Sequence, residues 1–202
     1  MKNILLDKKT PLTKSEKELF AYFGEGAKIR PPFRILNPQN IHVGDFTTLR
    51  ENCYVHAYKD NTNLMNYIDN QYIKGFKKED YKYNSFIHLD REIQIGRGAL
   101  ISCTNRITIE RNVVFSENTF LGDNNHSFTH PEVPIVQQPN KKGNPILIGR
   151  GSWIGFGAAI LGGTKLGRNS VVGANSVVSG EFLSHSVVGT EHAKLLFRRY
   201  NK

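Results

Sequence analysis

From Ile148 onward an aliphatic side chain returns at every sixth position: Ile148, Ile154, Ile160, Leu166, Val172 and Val178. Four residues after each of the first five stands a small residue: Ser152, Ala158, Thr164, Ser170 and Ser176. Glycine follows the aliphatic at Gly149, Gly155, Gly167 and Gly173. The same pattern runs upstream in shorter pieces. Val43, Leu49 and Val55 are six apart, with Thr47 and Cys53 at the small position. Ile95 and Ile101 follow with Ala99, then Ile109, Phe115 and Leu121 with Val113, Thr119 and Asn125. The step from Ile101 to Ile109 is eight, which predicts two extra residues at a corner near Asn105-Arg106.

A period of six matches neither an α-helix nor a plain alternating strand. It suits a short strand plus a turn, three of which close a triangular coil of about 18 residues. The aliphatic residue then fills the interior, stacked on its equivalents in the neighbouring coils. The small residue fits where the triangle narrows, and glycine or asparagine supplies the corner conformations. The prediction is an all-β parallel β-helix over residues 35–190. Residues 1–34 are assigned to an N-terminal helical cap and 191–202 to a C-terminal helix.

The cap prediction rests on residues 12–23. Thr13 and Glu16 form a capping box, Leu12, Glu16, Leu19, Phe20 and Phe23 share a face, and Gly24 ends the segment. Such a helix would cover the open end of the coil stack. Two stretches break the repeat. Residues 58–86 are polar and rich in tyrosine and lysine, including Tyr58, Tyr67, Tyr72, Tyr81, Tyr83, Lys74, Lys77, Lys78 and Lys82. They read either as surface decoration or as a flap for an acceptor, since aromatics and lysines suit sugar rings and acidic groups. Residues 123–145 are polar and punctuated by proline, and a long excursion from a tight solenoid is usually functional.

Composition narrows the classes. The formal net charge is +9, with 39% hydrophobic and 22% charged residues. The basic residues are dispersed, without a helical stripe or an RNA-binding motif, so nucleic acid is not expected as a partner. A positive field suits an anionic small molecule. No apolar run approaches a membrane span, and the first residues lack the apolar core of a secretory signal. A cytoplasmic location is expected. Cys53 and Cys103 stand outside any zinc-type spacing and are read as free buried thiols, with no metal site.

On these repeats, and on Gly122-Asp123-Asn124-Asn125-His126, Pro145-Ile146-Leu147-Ile148-Gly149 and Ser152-Trp153-Ile154-Gly155, the chain resembles the hexapeptide-repeat acyltransferases. It is most similar to the sugar O-acetyltransferases of capsule and lipopolysaccharide pathways. The resemblance implies a left-handed coil, a homotrimer with active sites shared between subunits, and acetyl-CoA as co-substrate. It also implies a sugar or glycan hydroxyl as acceptor.

Acetyl transfer needs a base, and histidine is the usual one near neutral pH. In the resembling family the catalytic histidine falls 17 residues after the aliphatic that opens its coil; counted from Ile109 this is His126. His130, in Thr129-His130-Pro131, is four residues out of that register. Asp123 or Glu132 would orient the imidazole, and Trp153 corresponds to a position beside the family's active site. By the same resemblance coenzyme A would meet Ser152, Gly155, Phe156, Ala174 and Ser179, with Lys194 and Arg198 on its phosphates. Three alternatives stay open: N-acetylation of an amino-sugar or antibiotic amine, a γ-carbonic anhydrase-like hydratase, and a non-catalytic scaffold.

Overall fold

The computed structural model describes residues 3–60 and 76–191. Each passage of the chain lays one short strand on each of three faces and then begins again one level up. Face I stacks Tyr22–Phe23, Ile41–Val43, Phe86–Leu89, Arg106–Ile109, Ile146–Ile148, Lys165–Leu166 and Glu181–Phe182. Face II stacks Lys28–Ile29, Thr48–Leu49, Gln94–Ile95, Val114–Phe115, Trp153–Ile154, Val171–Val172 and Val187–Val188. Face III stacks Phe33–Leu36, Cys53–Ala57, Leu100–Cys103, Phe120–Gly122, Ala159–Leu161 and Val177–Val178. All of these pair in parallel with the coil above and below. The described residues form a parallel β-helix of six coils and the start of a seventh.

The hexad aliphatics form the interior. Ile148, Ile154, Ile160, Leu166, Val172 and Val178 are all buried, as are their counterparts Val43, Leu49, Val55, Ile95, Ile101, Ile109, Phe115 and Leu121. The small position is more than a space-filler. Ser152 Oγ donates to the Gly167 carbonyl (3.2 Å) and accepts from Ser170 N–H (3.1 Å), one coil on. Ser170 repeats the arrangement with Leu183 and Ser186, and Thr47 with Asp90 and Ile93. This ladder of hydroxyls satisfies backbone groups that the corners leave unpaired. The glycines divide the labour at the corners. Gly151 and Gly157 take positive φ, a role that Asn169 and Asn175 fill one coil later. Gly149 and Gly155 instead make room: a Cβ there would lie 2.6 Å from the backbone nitrogens of Arg168 and Ala174 in the next coil.

The N-terminal region differs from expectation. The capping box forms, with Glu16 N–H donating to Thr13 Oγ1 and the Glu16 carboxylate accepting from Thr13 N–H (2.8 Å), but the helix is one turn, Lys14–Lys17. Residues Tyr22–Phe23 are already the first strand of face I, and Phe23 and Ile29, within the expected cap, are hexad positions of a coil that continues at Ile35. Tertiary stacking on Ile41–Val43 overrides the local helical pattern. The stack is closed by strand Leu5–Lys8, antiparallel to Phe33–Leu36, with Leu6 and Phe20 buried in the core. The helix expected over 191–202 and the hexad-breaking residues 61–75, with Tyr67, Tyr72 and Lys74, lie outside the described residues. No described helix is long and apolar enough to cross a membrane. Cys53 and Cys103 are free and buried.

All departures from the six-residue step occur at one edge, where face III passes into face I. Ile35 to Val43 and Ile101 to Ile109 are steps of eight. The long excursions after Cys53–Ala57 and after Phe120–Gly122 leave from the same edge, two coils apart.

Candidate active site

The two excursions meet because they share that edge. The Tyr83 hydroxyl donates to the Asn140 carbonyl (2.9 Å), and the rings of Phe76 and His130 pack edge-to-face with centroids 5.0 Å apart. The second excursion opens with a short antiparallel hairpin, Asn125–His126 against Asn140–Lys141, with His126 opposite Asn140. His126 is exposed on this hairpin.

Asp123 fixes the root of the excursion. It is 2% exposed. Its carboxylate accepts from Thr104 N–H (2.7 Å), Thr104 Oγ1 (3.0 Å), Asn105 N–H (2.8 Å) and Cys103 Sγ (3.3 Å). The two-residue step of the coil below thus leaves two amide donors, and Asp123 fills them from above. Both oxygens are engaged there, and none of these bonds goes to an imidazole; the expected role of orienting His126 does not match this placement. The return strand is nailed to the same place. Gly143 N–H donates to Thr104 Oγ1 (3.2 Å), its carbonyl accepts from Asn105 Nδ2 (2.9 Å), and a Cβ on Gly143 would fall on the Asp123 carbonyl oxygen. Burial, aided by the Asp123 carboxylate, pushes the Cys103 thiol far up from its ordinary range.

A second set of groups supports the hairpin from face III. His56 Nδ1 and the Tyr58 hydroxyl lie 3.3 Å apart, Tyr58 also meets Ser102, and Ser102 Oγ accepts from Asn124 Nδ2 (2.9 Å). Burial lowers the His56 pKa and raises that of Tyr58. No sequence motif marks this chain of contacts; its signal is the hexad register, which sets His56 beside Ser102 on adjacent strands. Farther out, buried Gln138 accepts from His130 N–H (3.3 Å) and donates to the carbonyls of His130 (3.0 Å) and Val133 (2.7 Å), shaping the tip. Glu132 is exposed there.

Two cavities flank the hairpin. The larger, about 530 Å³, lies between the excursions and is lined by Phe76, Tyr83, Ser127, His130 and Lys142 among others. The smaller, about 350 Å³, lies against the later coils and is lined by Asn125, Gly143, Leu161, Gly162 and Ser179 among others. Asn125 borders the smaller and Ser127 the larger, Lys141 and Lys142 border both, and His126 itself lines neither.

The other expected contacts are dispersed. Ser179 lines the smaller cavity. Gly155, Phe156 and Ala174 sit at the edge between faces II and III, where Phe156 and Ala174 are exposed. The Ser152 side chain points into the coil and is used in the hydroxyl ladder, so it is not available to a ligand. Trp153 is half exposed on face II, its Nε1–H donating to Ser116 Oγ (3.1 Å). Face II does not border the edge that carries His126, so the two residues do not meet within one chain. Lys194 and Arg198 lie outside the described residues. Among the described residues no group of three or more His, Cys, Asp or Glu side chains is placed to hold a metal.

The coil and its repeats are similar to those of bacterial hexapeptide-repeat transferases. Residues 145–180 match the family described as bacterial transferase hexapeptide (six repeats). The chain is 30% identical over 122 residues to WbbJ of Escherichia coli K12, assigned by name to lipopolysaccharide biosynthesis as an O-acetyl transferase. That match covers 57% of this chain and 61% of the relative. It is 32% identical over 103 residues to the galactoside O-acetyltransferase of the same organism, covering 49% of this chain and 47% of that protein. The chain thus spans about half to three-fifths of the length of these relatives. In fold it is similar to AntD, an N-acyltransferase from Bacillus cereus solved with dTDP and 3-hydroxybutyryl-CoA. The TM-score is 0.67, with 15% identity and coverage of 91% of this chain and 86% of that one.

Proposed function

We propose that the protein is an acetyltransferase that moves an acetyl group from acetyl-CoA to a hydroxyl of a sugar or glycan, with His126 as general base. The observation that carries this reading is the place of His126 on the hairpin, next in the chain to Asn125, which borders the smaller cavity, and to Ser127, which borders the larger. A two-substrate transfer without a covalent intermediate needs the base where donor and acceptor meet. The smaller cavity, against the coils after the excursion, takes the thioester end of coenzyme A beside Ser179. The larger takes the acceptor. The relatives named for O-acetyl transfer support a hydroxyl acceptor over an amine.

In this reading the coil turns left-handed, as in the family it resembles, and the enzyme works in the cytoplasm as a trimer. Trimerisation is supported by the outward column of face II, where Val114, Trp153 and Val187 expose apolar surface in register. Laid against the excursion edge of a neighbour, that column brings Trp153 and the Phe156–Ala174 edge toward the neighbour's His126. Lys194 and Arg198 are proposed to meet the coenzyme phosphates. Asp123 acts by holding the hairpin root.

The test is transfer from acetyl-CoA to a panel of sugars, read as coenzyme A release together with a mass increase of one acetyl group on the sugar. Acetylated product on hydroxyl acceptors supports the reading. Products confined to amino sugars move the activity to N-acetylation, and coenzyme A that neither binds nor turns over removes the reading altogether.

A further inference from the structure

The larger cavity has a charge pattern that the proposed activity does not require. Lys82 reaches it from the first excursion, and Lys141 and Lys142 from the return strand of the second. None of the three pairs with a carboxylate among the described residues. Two acids also border the cavity, Glu79 and Asp80, but the Asp80 carboxylate is engaged on Lys77 N–H at 2.6 Å, where it caps its own turn. Three lysines against two acids leave the lining with an excess of positive charge, and a bound anion offsets that excess. The walls are preformed: the bond from Tyr83 to the Asn140 carbonyl ties the excursions together, and the Phe76 ring, braced against His130, offers an apolar face. A concave site with an apolar wall and a few directed charges has the make-up of a small-molecule pocket.

We propose that this cavity recognises an anionic sugar, a hexose bearing a carboxylate or a phosphate, with Lys82, Lys141 and Lys142 on the acid group and Phe76 against the ring. The inference rests on the reading that the cavity holds a sugar acceptor, and it adds the class of sugar. Lys82 is the discriminating residue, because Lys141 and Lys142 also border the smaller cavity.

The experiment is direct binding by calorimetry or ligand-observed NMR, which needs no turnover. The probes are methyl β-D-glucuronide, glucose 1-phosphate and the neutral methyl β-D-glucoside, each titrated into the full chain. At least one anion is expected to bind at least about tenfold more tightly than the glucoside, because ionic hydrogen bonds to lysine are the strong ones. That advantage should shrink as salt is raised. The arm that binds more tightly, carboxylate or phosphate, identifies the acid group. Lys82→Met should cut the anion advantage by at least about fivefold, and an unchanged unfolding temperature shows the fold intact. Three results overturn the proposal: a neutral sugar that binds as tightly as both anions, no sugar binding at all, or an anion advantage that survives Lys82→Met. Anion-selective binding in a protein that transfers no acetyl group would fault the acetyltransferase reading and leave the cavity assignment standing.

Discussion

Replacing Asp123 by asparagine separates two roles that proximity to the site would confuse. The carboxylate is buried and accepts from both amides of the Thr104–Asn105 step as well as the Thr104 hydroxyl. An asparagine of the same shape keeps one accepting oxygen, but its NH₂ must face a backbone N–H. One charge-assisted bond is lost and a buried donor is left unpaired, each change costing about 1 to 3 kcal/mol. A total near 3 kcal/mol is expected, which for a chain of this size lowers the unfolding temperature by roughly 6 to 12 °C. The assay is thermal unfolding beside acetyl transfer at a temperature where the variant is folded. Transfer should fall modestly, in step with a loosened hairpin. An unchanged unfolding temperature with turnover reduced by about two orders of magnitude or more would refute the structural role and return Asp123 to the imidazole.

Three further outcomes follow from the geometry. Gly143→Ala should prevent the excursion from closing on its root, because the new methyl group meets the Asp123 carbonyl; it should raise protease cleavage within 124–142 while the coils remain folded. The native thiols should resist alkylation at pH 8, since burial pushes Cys53 up to about 11 and Cys103 higher still; both should react after denaturation, and fast native labelling would contradict their burial. Stability should decline as pH falls below the ordinary imidazole range near about 6.5. His42, by burial and by the tilted ring of His88 with its centroid 4.3 Å away, and His56, by burial, have lowered pKa values and so bind protons more readily when unfolded. His42→Gln should flatten that decline in denaturant unfolding between pH 5 and 7.5; Glu16, with its pKa lowered to about 2 chiefly by Lys8, titrates below that window and leaves it unaltered.

The coil was legible because its cause is periodic: one interior aliphatic per face, repeated without regard to local propensity. The first coil escaped because Phe23 fits a helical face with Leu19 and Phe20 as well as a hexad, and only continuity with Ile29 and Ile35 decides between them. Excursions were visible as broken register, but their meeting was not, since it depends on both leaving the same edge. The Asp123 clamp was hidden for a related reason. The eight-residue step from Ile101 to Ile109 lengthens that coil to 20 residues, with Ile101 opposite Leu121, and leaves the amides of Thr104 and Asn105 facing Asp123. The dispersal of Trp153 and His126 to opposite sides of one chain follows from which face each strand occupies, a feature that motif spacing does not carry.

The most direct test of the account is single-turnover transfer by His126→Ala, measured beside coenzyme A binding. The account predicts a rate lower by at least about 100-fold with coenzyme A affinity within about twofold of the parent, and a far smaller loss for His130→Ala. Near-normal transfer by His126→Ala, with transfer abolished in His130→Ala, would contradict it and move the base to the tip of the excursion.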